Sequence, residues 1–501
     1  MPASRSSKVL ILSSGQALTA LVGIASAAVL ARVLSQHDYA SYRQTLLAYT
    51  FAVPFVTLGF DRALYYFLPG EEERSRGILV ENLLWLLGAG ALLSLFLLVG
   101  GNRLLAMRFN NPDLGSLLLL LVPYPLLMLP AASLSACLMA RHRTEQVAGF
   151  NVASRLLMFA AMIGPCLVWP RPATAIVGMV LGSAVATCAA LVLMFRACNA
   201  GDWRPTWPGI RRQVRFSIPL GFAGLVGTVS QSLDQVMVAA ICAPALFAVY
   251  VNGAIEIPLI GMVTGSATSV LMVDYARLYK EGRVPEIIEL IHRAMVKCAL
   301  ILFPAMVFLM CMAPELICLL FGKPYKDSAI PFRIYLLMLP VRTLTFGAVL
   351  QATGHSRKIL IQSIISLTTN ALLLWCAIRF LGPLWAPVGP VVSLYVFAVP
   401  YLIFVIRSIL QCSVASLFPW SELAKVLAAN CLAVPALLVL KHLGTGWPNV
   451  VILAAAGAVF GALTLGVYFV VGWSDAVPWR EWIRNPLIPA GRRIAERSHC
   501  E

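Results

Sequence analysis

The sequence predicts an all-α polytopic membrane protein of about 14 transmembrane helices, built as two pseudo-repeated six-helix lobes plus two C-terminal helices. Three observations predict it. The 501-residue chain is 60% hydrophobic and only 12% charged, with mean hydropathy +0.84, far from the composition of a soluble globule. About fourteen apolar runs reach the roughly 20 residues that a helix needs to cross a hydrocarbon core. The loops between them alternate between many and few basic residues.

The first span is drawn at 9–33. Lys8 precedes it, and Ala25-Ser26-Ala27 resembles a small-residue cleavage site, but apolar character continues through Leu34. The segment therefore reads as an uncleaved first helix rather than a short signal core. Spans follow at 44–68, 78–99, 115–139, 147–169 and 173–195. The longest interior loop, Arg196 to Gln213, is rich in Arg, Trp and Pro. Beyond it come spans at 214–241, 245–270, 294–320, 329–352, 359–381 and 384–406, then 424–442 and 450–472. Pro54, Pro123, Pro125, Pro219, Pro258, Pro304, Pro340, Pro400 and Pro435 fall inside spans, where they are expected to kink helices rather than end them. The tail, Trp473 to Glu501, interleaves Trp479, Trp482 and Ile483 with Arg480, Arg484, Arg492, Arg493 and Arg497. That pattern suits rest on an anionic leaflet, or docking to a partner.

Charge distribution sets the expected orientation. On this map, segments on the N-terminal side carry 23 Lys and Arg against 9 on the other. Both termini are therefore expected in the cytoplasm, of a bacterial inner membrane. The net charge of +16 is a loop asymmetry, not a nucleic-acid footprint, and no nucleic-acid partner is expected. The twelve cysteines are scattered, mostly within apolar runs, with no CxxC or His/Cys cluster. They read as small buried apolar residues, and no metal or cofactor is expected.

The chain also repeats itself. Leu30-Ala31-Arg32-Val33-Leu34 running into Tyr39-Ala40-Ser41-Tyr42 is echoed about 208 residues later by Val238-Ala239-Ala240-Ile241 and Phe247-Ala248-Val249-Tyr250. Leu138 to Arg143 is echoed by Leu350 to Arg357. An offset of six spans gives both halves one orientation, so the repeat is parallel. The expected organisation is a lobe at 1–200, a second at 201–410, helices 13 and 14 at 411–472, and a basic cytoplasmic tail at 473–501.

Ionisable residues deep in spans cost about 2.5 to 3.5 kcal/mol each, so they are expected to face a cavity or a partner. The candidates are Asp61, Arg62, Arg155, Asp234, Glu256, Arg333 and Arg342. Glu315, Lys297 and Lys425 lie near span ends, where snorkelling accounts for them. Asp61 and Arg62, being adjacent, are expected to point to different faces. Asp234 and Glu256 fall in neighbouring spans. Two close carboxylates in low dielectric can share a proton or bridge a cation, or each can be held by a hydrogen bond or an Arg. Tyr49, Tyr124, Tyr250, Asn252 and Gln231 are available to line a cavity.

Five stretches stand out in order along the chain: Leu30 to Tyr42, Leu58-Gly59-Phe60, Ser232-Leu233-Asp234-Gln235-Val236-Met237 with Val249-Tyr250, Phe303-Pro304 through Ala329, and Ala352-Thr353-Gly354-His355-Ser356-Arg357. Together they resemble the polysaccharide-unit flippases of the Wzx type, within the multidrug/oligosaccharidyl-lipid/polysaccharide exporter superfamily. The resemblance implies a transporter, not an enzyme. Two six-helix lobes would alternate access to a central cavity and move a polyprenyl-diphosphate-linked oligosaccharide unit outward, driven by a gradient of H+ or Na+. It implies membrane lipids as partners, together with a polysaccharide polymerase and chain-length machinery. Arg342, Arg155, Arg62 and Arg333 would then meet the anionic headgroup, Arg342 foremost, because a guanidinium fork suits phosphate oxygens. Asp234 and Glu256 would couple the ion. An ion pair of Arg342 with Asp234 or Glu256 is the competing reading. A cation-coupled drug or metabolite exporter and a lipid II flippase are the alternatives within the superfamily. The arginine-dense first helix of lipid II flippases is not found here. A membrane glycosyltransferase or polymerase would need a large soluble loop, and no loop on this map exceeds about 25 residues.

Overall fold

A computed structural model describes residues 5–71, 73–255 and 257–470. Among them every regular element is helical. Ten helices are long and apolar enough to cross a membrane, and two bent pairs raise the number to twelve. The count of fourteen is not reached by this measure. The two drawn spans outside it, 44–68 and 245–270, are each a pair of helices with a break at membrane depth.

The first of these pairs begins earlier than drawn. Ser35 caps helix Gln36–Thr57, accepting the Asp38 N–H at 3.1 Å while its hydroxyl donates to the Asp38 carboxylate at 2.7 Å. The two opening turns are therefore polar, and the apolar run starts only after them. The helix stops at Leu58 and Gly59, both with positive φ, and resumes as Phe60–Phe67. There the chain crosses helix Trp207–Ile241 backbone to backbone: a Cβ on Gly59 would lie 3.1 Å from the Gly221 nitrogen. Positive φ and close approach together demand glycine at 59. In the second pair, Pro244–Gly253 gives way to Pro258–Lys280, and Ile257 is extended, as expected of a residue before proline.

Other spans are bent or lengthened for identifiable reasons. Ser75–Arg108 runs well past the drawn 78–99 through a π turn at Leu97–Gly101. Trp207–Pro219 and Gly224–Ile241 meet at 49°, and Lys323–Leu336 and Leu339–Ala352 at 44°, next to Pro219 and Pro340 respectively. Val284–Phe321 is a single 38-residue helix, roughly 57 Å at 1.5 Å per residue, so it projects beyond the bilayer.

Packing order repeats along the chain. Arg5–Val33 packs on Thr144–Val168, which packs on Pro172–Ala197. Six spans later, Trp207–Ile241 packs on Ser356–Phe380, which packs on the segment Pro383–Leu410. The two halves are joined unequally. On the side away from the basic loops they share one core, with Leu30, Tyr39 and Leu117 beside Phe247, Phe321, Tyr325 and Phe332. On the basic side the cores are separate. Ala63, Leu79, Cys137 and Met194 belong to one; Tyr275, Ile291, Val349 and Ile406 belong to the other.

The first half of helix Trp207–Ile241 stays with the earlier helices. Phe216 stacks on Tyr66, and Arg212 pairs with Glu71 at 2.5 Å. Beneath them Glu81, 2% exposed, accepts the Thr206 N–H at 2.9 Å, the Thr206 hydroxyl at 2.8 Å and the Gln213 amide at 3.3 Å, and pairs with Arg74. Removing this carboxylate takes an acceptor at once from the Thr206 N–H and hydroxyl, the Gln213 amide and Arg74. Glu81→Ala is expected to lower unfolding stability by ~2–4 kcal/mol, read as a fall in thermal midpoint of the protein in lipid nanodiscs. An unchanged midpoint would refute the role given to Glu81.

Candidate functional site

A cavity of about 660 Å³ is walled almost wholly by the second half, with Arg43 reaching it from the first. Its wall is built where helices are interrupted. Ala254, Ile255 and Ile257 come from the break after Pro244–Gly253, Met338 from the break between Lys323–Leu336 and Leu339–Ala352, and Leu394 from a π turn at Leu394–Ala398. Irregular backbone at membrane depth is tolerable only where it is buried or lines a cavity. At the second break the Tyr395 hydroxyl donates to the Leu337 carbonyl at 2.7 Å.

Of the residues expected at the site, Arg342 and Asp234 line this cavity together. Asp234 is 5% exposed. One of its oxygens accepts the Tyr250 hydroxyl at 2.7 Å and that of Tyr335 as well, and the two hydroxyls are 3.0 Å apart. The hydroxyls come from Pro244–Gly253 and Ala329–Leu336, so the carboxylate ties three elements together. Glu256 lies outside the described residues; its neighbours Ile255 and Ile257 both line the cavity.

A second cavity cation went unread in the sequence. Arg43 falls just outside the drawn span 44–68 and so counts among the nine loop cations, yet it sits inside Gln36–Thr57 and lines the cavity. Its guanidinium donates to the Tyr39 hydroxyl at 3.1 Å and lies 5.9 Å from the centre of that ring. Tyr39 in turn donates to Asn252 at 2.7 Å, bridging the two halves. The legible signal was the Ser35/Asp38 cap, which starts the helix early and puts Tyr39 and Arg43 on one face.

The remaining expected arginines are elsewhere. Arg155 borders a separate cavity of about 420 Å³ with Thr19, Asn151 and Ser154. Its guanidinium lies where a side chain on Gly23 would sit, 2.7 Å from an ideal Cβ. Arg62 is largely exposed and turns back on Asp61 at 3.7 Å. This corrects the expectation that the neighbours diverge: a long arginine at an exposed helix start can fold back, for little energy. Arg333 donates its Nε to the Met310 carbonyl at 2.9 Å. That carbonyl would accept from residue 314 in a regular helix, but Pro314 has no N–H, so Arg333 repairs the gap.

Among the span-end charges, Glu315 pairs with Lys441 at 2.7 Å and Lys425 with Glu422 at 2.8 Å, so snorkelling is not their whole account. Of the polar candidates, Gln231 lines the cavity. Tyr49 and Tyr124 instead meet edge to face, 4.8 Å apart. Among the described residues no cluster of three His, Cys, Asp or Glu could hold a metal.

The family model described as "Polysaccharide biosynthesis protein" matches residues 29–330, more than half of the chain. The chain belongs to the polysaccharide biosynthesis protein family. No curated protein matches it by sequence. The fold is shared with solved transporters. The lipid II flippase MurJ in its inward closed conformation matches at 13% identity and TM-score 0.73, over 92% of this chain and 99% of that one. An inward-facing multidrug resistance MATE family transporter of the MOP superfamily matches at 14% identity and TM-score 0.59, over 81% and 99%. A MOP superfamily transporter from Pyrococcus furiosus, described as having a binding pocket of reverse polarity, matches at 15% identity and TM-score 0.55, over 82% and 98%. At such identities the likeness is one of fold.

Two outcomes follow from the geometry. Arg333→Ala should cost about 1–3 kcal/mol of stability by orphaning the Met310 carbonyl, read as a fall in the thermal midpoint in lipid nanodiscs. An unchanged midpoint would refute the repair. Tyr39→Phe removes one buried bridge worth about 1 kcal/mol, so separation of the halves on that side should become about fivefold more frequent. Thiol labelling of a Gln231→Cys variant from that side measures it, and an unchanged rate would dismiss the bridge.

Proposed function

We propose that the protein flips an oligosaccharide repeat unit, carried on a polyprenyl diphosphate, from the cytoplasmic to the outer leaflet of a bacterial inner membrane, with both termini in the cytoplasm. The observation that carries this reading is a cavity of the second half, in a member of a polysaccharide biosynthesis family, with Arg342 on its wall and Arg43 reaching it from the first half. Two guanidinium groups in a low-dielectric chamber favour a polyanion and disfavour the cations that a drug exporter would carry. Bidentate contact with phosphate oxygens is what a guanidinium fork offers over an ammonium.

The unequal joining of the halves supports an alternating-access mechanism. The headgroup enters between the separate cores on the basic side. Outward release needs the shared core to part and the Tyr39–Asn252 bridge to break. Asp234 supplies the coupling. A proton or Na+ on its carboxylate competes with the hydroxyls of Tyr250 and Tyr335, and so alters what holds Pro244–Gly253 against its neighbours. Arg155 and Arg62 are approach sites for the headgroup, outside the central cavity. Polymerase and chain-length proteins would take the product. A lipid II flippase shares the polyprenyl diphosphate chemistry and differs in the sugar carried.

The test is a deletion strain in which polyprenyl-linked sugars are isolated and assigned to a leaflet. A complete repeat unit should accumulate on the cytoplasmic side. Wild type should restore output, Arg342→Ala should restore less than a tenth of it, and Asp234→Asn should abolish it at normal protein levels. Accumulation of a peptidoglycan precursor instead would favour the lipid II reading. A normal leaflet distribution with altered sensitivity to cationic drugs would overturn the flippase.

A further inference from the structure

Two cysteines that the sequence scatters are brought together by the fold. Cys137 and Cys198, 61 residues apart in sequence, place their Sγ atoms 3.4 Å apart, and both are buried free thiols. Cys137 lies in the last turns of Leu134–Ala140. Cys198 caps Pro172–Ala197, its N–H bonded to the Met194 carbonyl at 2.9 Å. The next residue, Asn199, is exposed, so the pair sits one residue below the surface on the basic side.

The surroundings favour chemistry at this pair. The Cys198 thiol is held below the ordinary thiol range by its contact with the Cys137 sulfur and by the Arg141 guanidinium. A thiolate, not a thiol, is the attacking species. The chain after Cys198 is already docked. The Arg76 N–H meets the Ala200 carbonyl at 3.0 Å, and the Arg76 guanidinium meets that of Asn199 at 2.7 Å. Closing from 3.4 Å to the roughly 2.05 Å of a disulfide needs side-chain rotation at two helix ends rather than movement of a helix.

We propose that Cys137 and Cys198 form an oxidative modification site, converted by a peroxide to an intramolecular disulfide that staples the start of the inter-half linker to the end of helix Leu134–Ala140. The Cys198 thiolate attacks one peroxide oxygen, breaking the O–O bond and releasing hydroxide, which takes a proton to become water. The resulting sulfenic acid is attacked by the Cys137 sulfur. An S–S bond forms, the S–O bond breaks, and the second oxygen leaves as water with the Cys137 proton. Two thiols and one peroxide become one disulfide and two waters. The staple covalently fixes the inner rim of the first half, where the linker to the second half begins. Its effect on transport rests on the flippase reading; formation of the bond does not.

The experiment uses the full-length protein in lipid nanodiscs, treated with hydrogen peroxide, alkylated under denaturing conditions and digested without reductant. A cross-linked Cys137–Cys198 peptide that dithiothreitol abolishes is expected. Cys137→Ser should instead leave Cys198 as a sulfenic acid trapped by dimedone, and Cys198→Ser should leave Cys137 alkylatable. Full alkylation of both cysteines in the oxidised wild type, or pairing of either with another cysteine, would overturn the site. Flipping by oxidised wild type should fall at least fivefold, while Cys137→Ser is unaffected. A disulfide that forms without slowing flipping would overturn the regulatory consequence alone. Failure of every form to flip would count against the transport reading and leave the disulfide intact.

Discussion

The structure depends on where apolar surface is shared between the halves and where it is not. Far from the basic loops a single core runs through both, and several of its large side chains are wholly buried: Tyr39, Phe247, Phe321, Tyr325 and Phe332. Near those loops each half keeps a core of its own. In a bilayer the association of helices draws on close packing and polar contacts rather than on water exclusion. The shared core is accordingly reinforced by polar bridges between halves. Arg32 donates to the Leu319 carbonyl, Gln36 to that of Pro324 at 2.9 Å, and Asn110 to that of Ala240 at 3.2 Å. The Leu319 and Ala240 carbonyls lie in the last turn of their helices, where such groups lack helical partners.

The polar positions sort by what their charge is asked to do. Arg333 and Arg342 stand nine residues apart in one bent pair of helices, and composition alone treats them alike. Arg333 is committed to a carbonyl that Pro314 leaves open, whereas Arg342 lies past the break, on the cavity wall. Glu81 is a third case. It is 2% exposed, and it organises donors around the point where the linker becomes a helix. A carboxylate fixed by that many donors is structural, even in a membrane protein where buried charge usually prompts a search for function.

The spans were legible because lipid forces a long apolar run on any helix it surrounds. The pairing of Asp234 and Arg342 around one cavity was within reach for a related reason, since charges at that depth have few places to go. The misses have physical causes. Arg43 was assigned to a loop because Gln36–Thr57 opens with polar turns, facing protein rather than lipid, which no hydropathy window detects. The role of Arg333 needed Pro314 and its missing N–H to be matched with a side chain on another helix. Cys137 and Cys198 could not be paired from spacing, because 61 residues and a turn of the bundle separate them. Fourteen spans became twelve by the measure of length and composition because helices around a cavity need not be continuous.

The short helix Pro244–Gly253 connects these features. Residues 247 to 253 are all buried, so it has no free surface on which to slide. Tyr250 on it binds Asp234 and Asn252 accepts from Tyr39, while its Val249 carbonyl accepts the Ser328 hydroxyl at 2.6 Å. The carboxylate in the cavity and the bridge between the halves are therefore held by one rigid piece, two residues apart. A close-packed element of this kind has a few discrete arrangements rather than a continuum. The hydroxyl that meets Asp234 and the amide that meets Tyr39 are thus carried on the same short helix, so any shift of that helix displaces both contacts together.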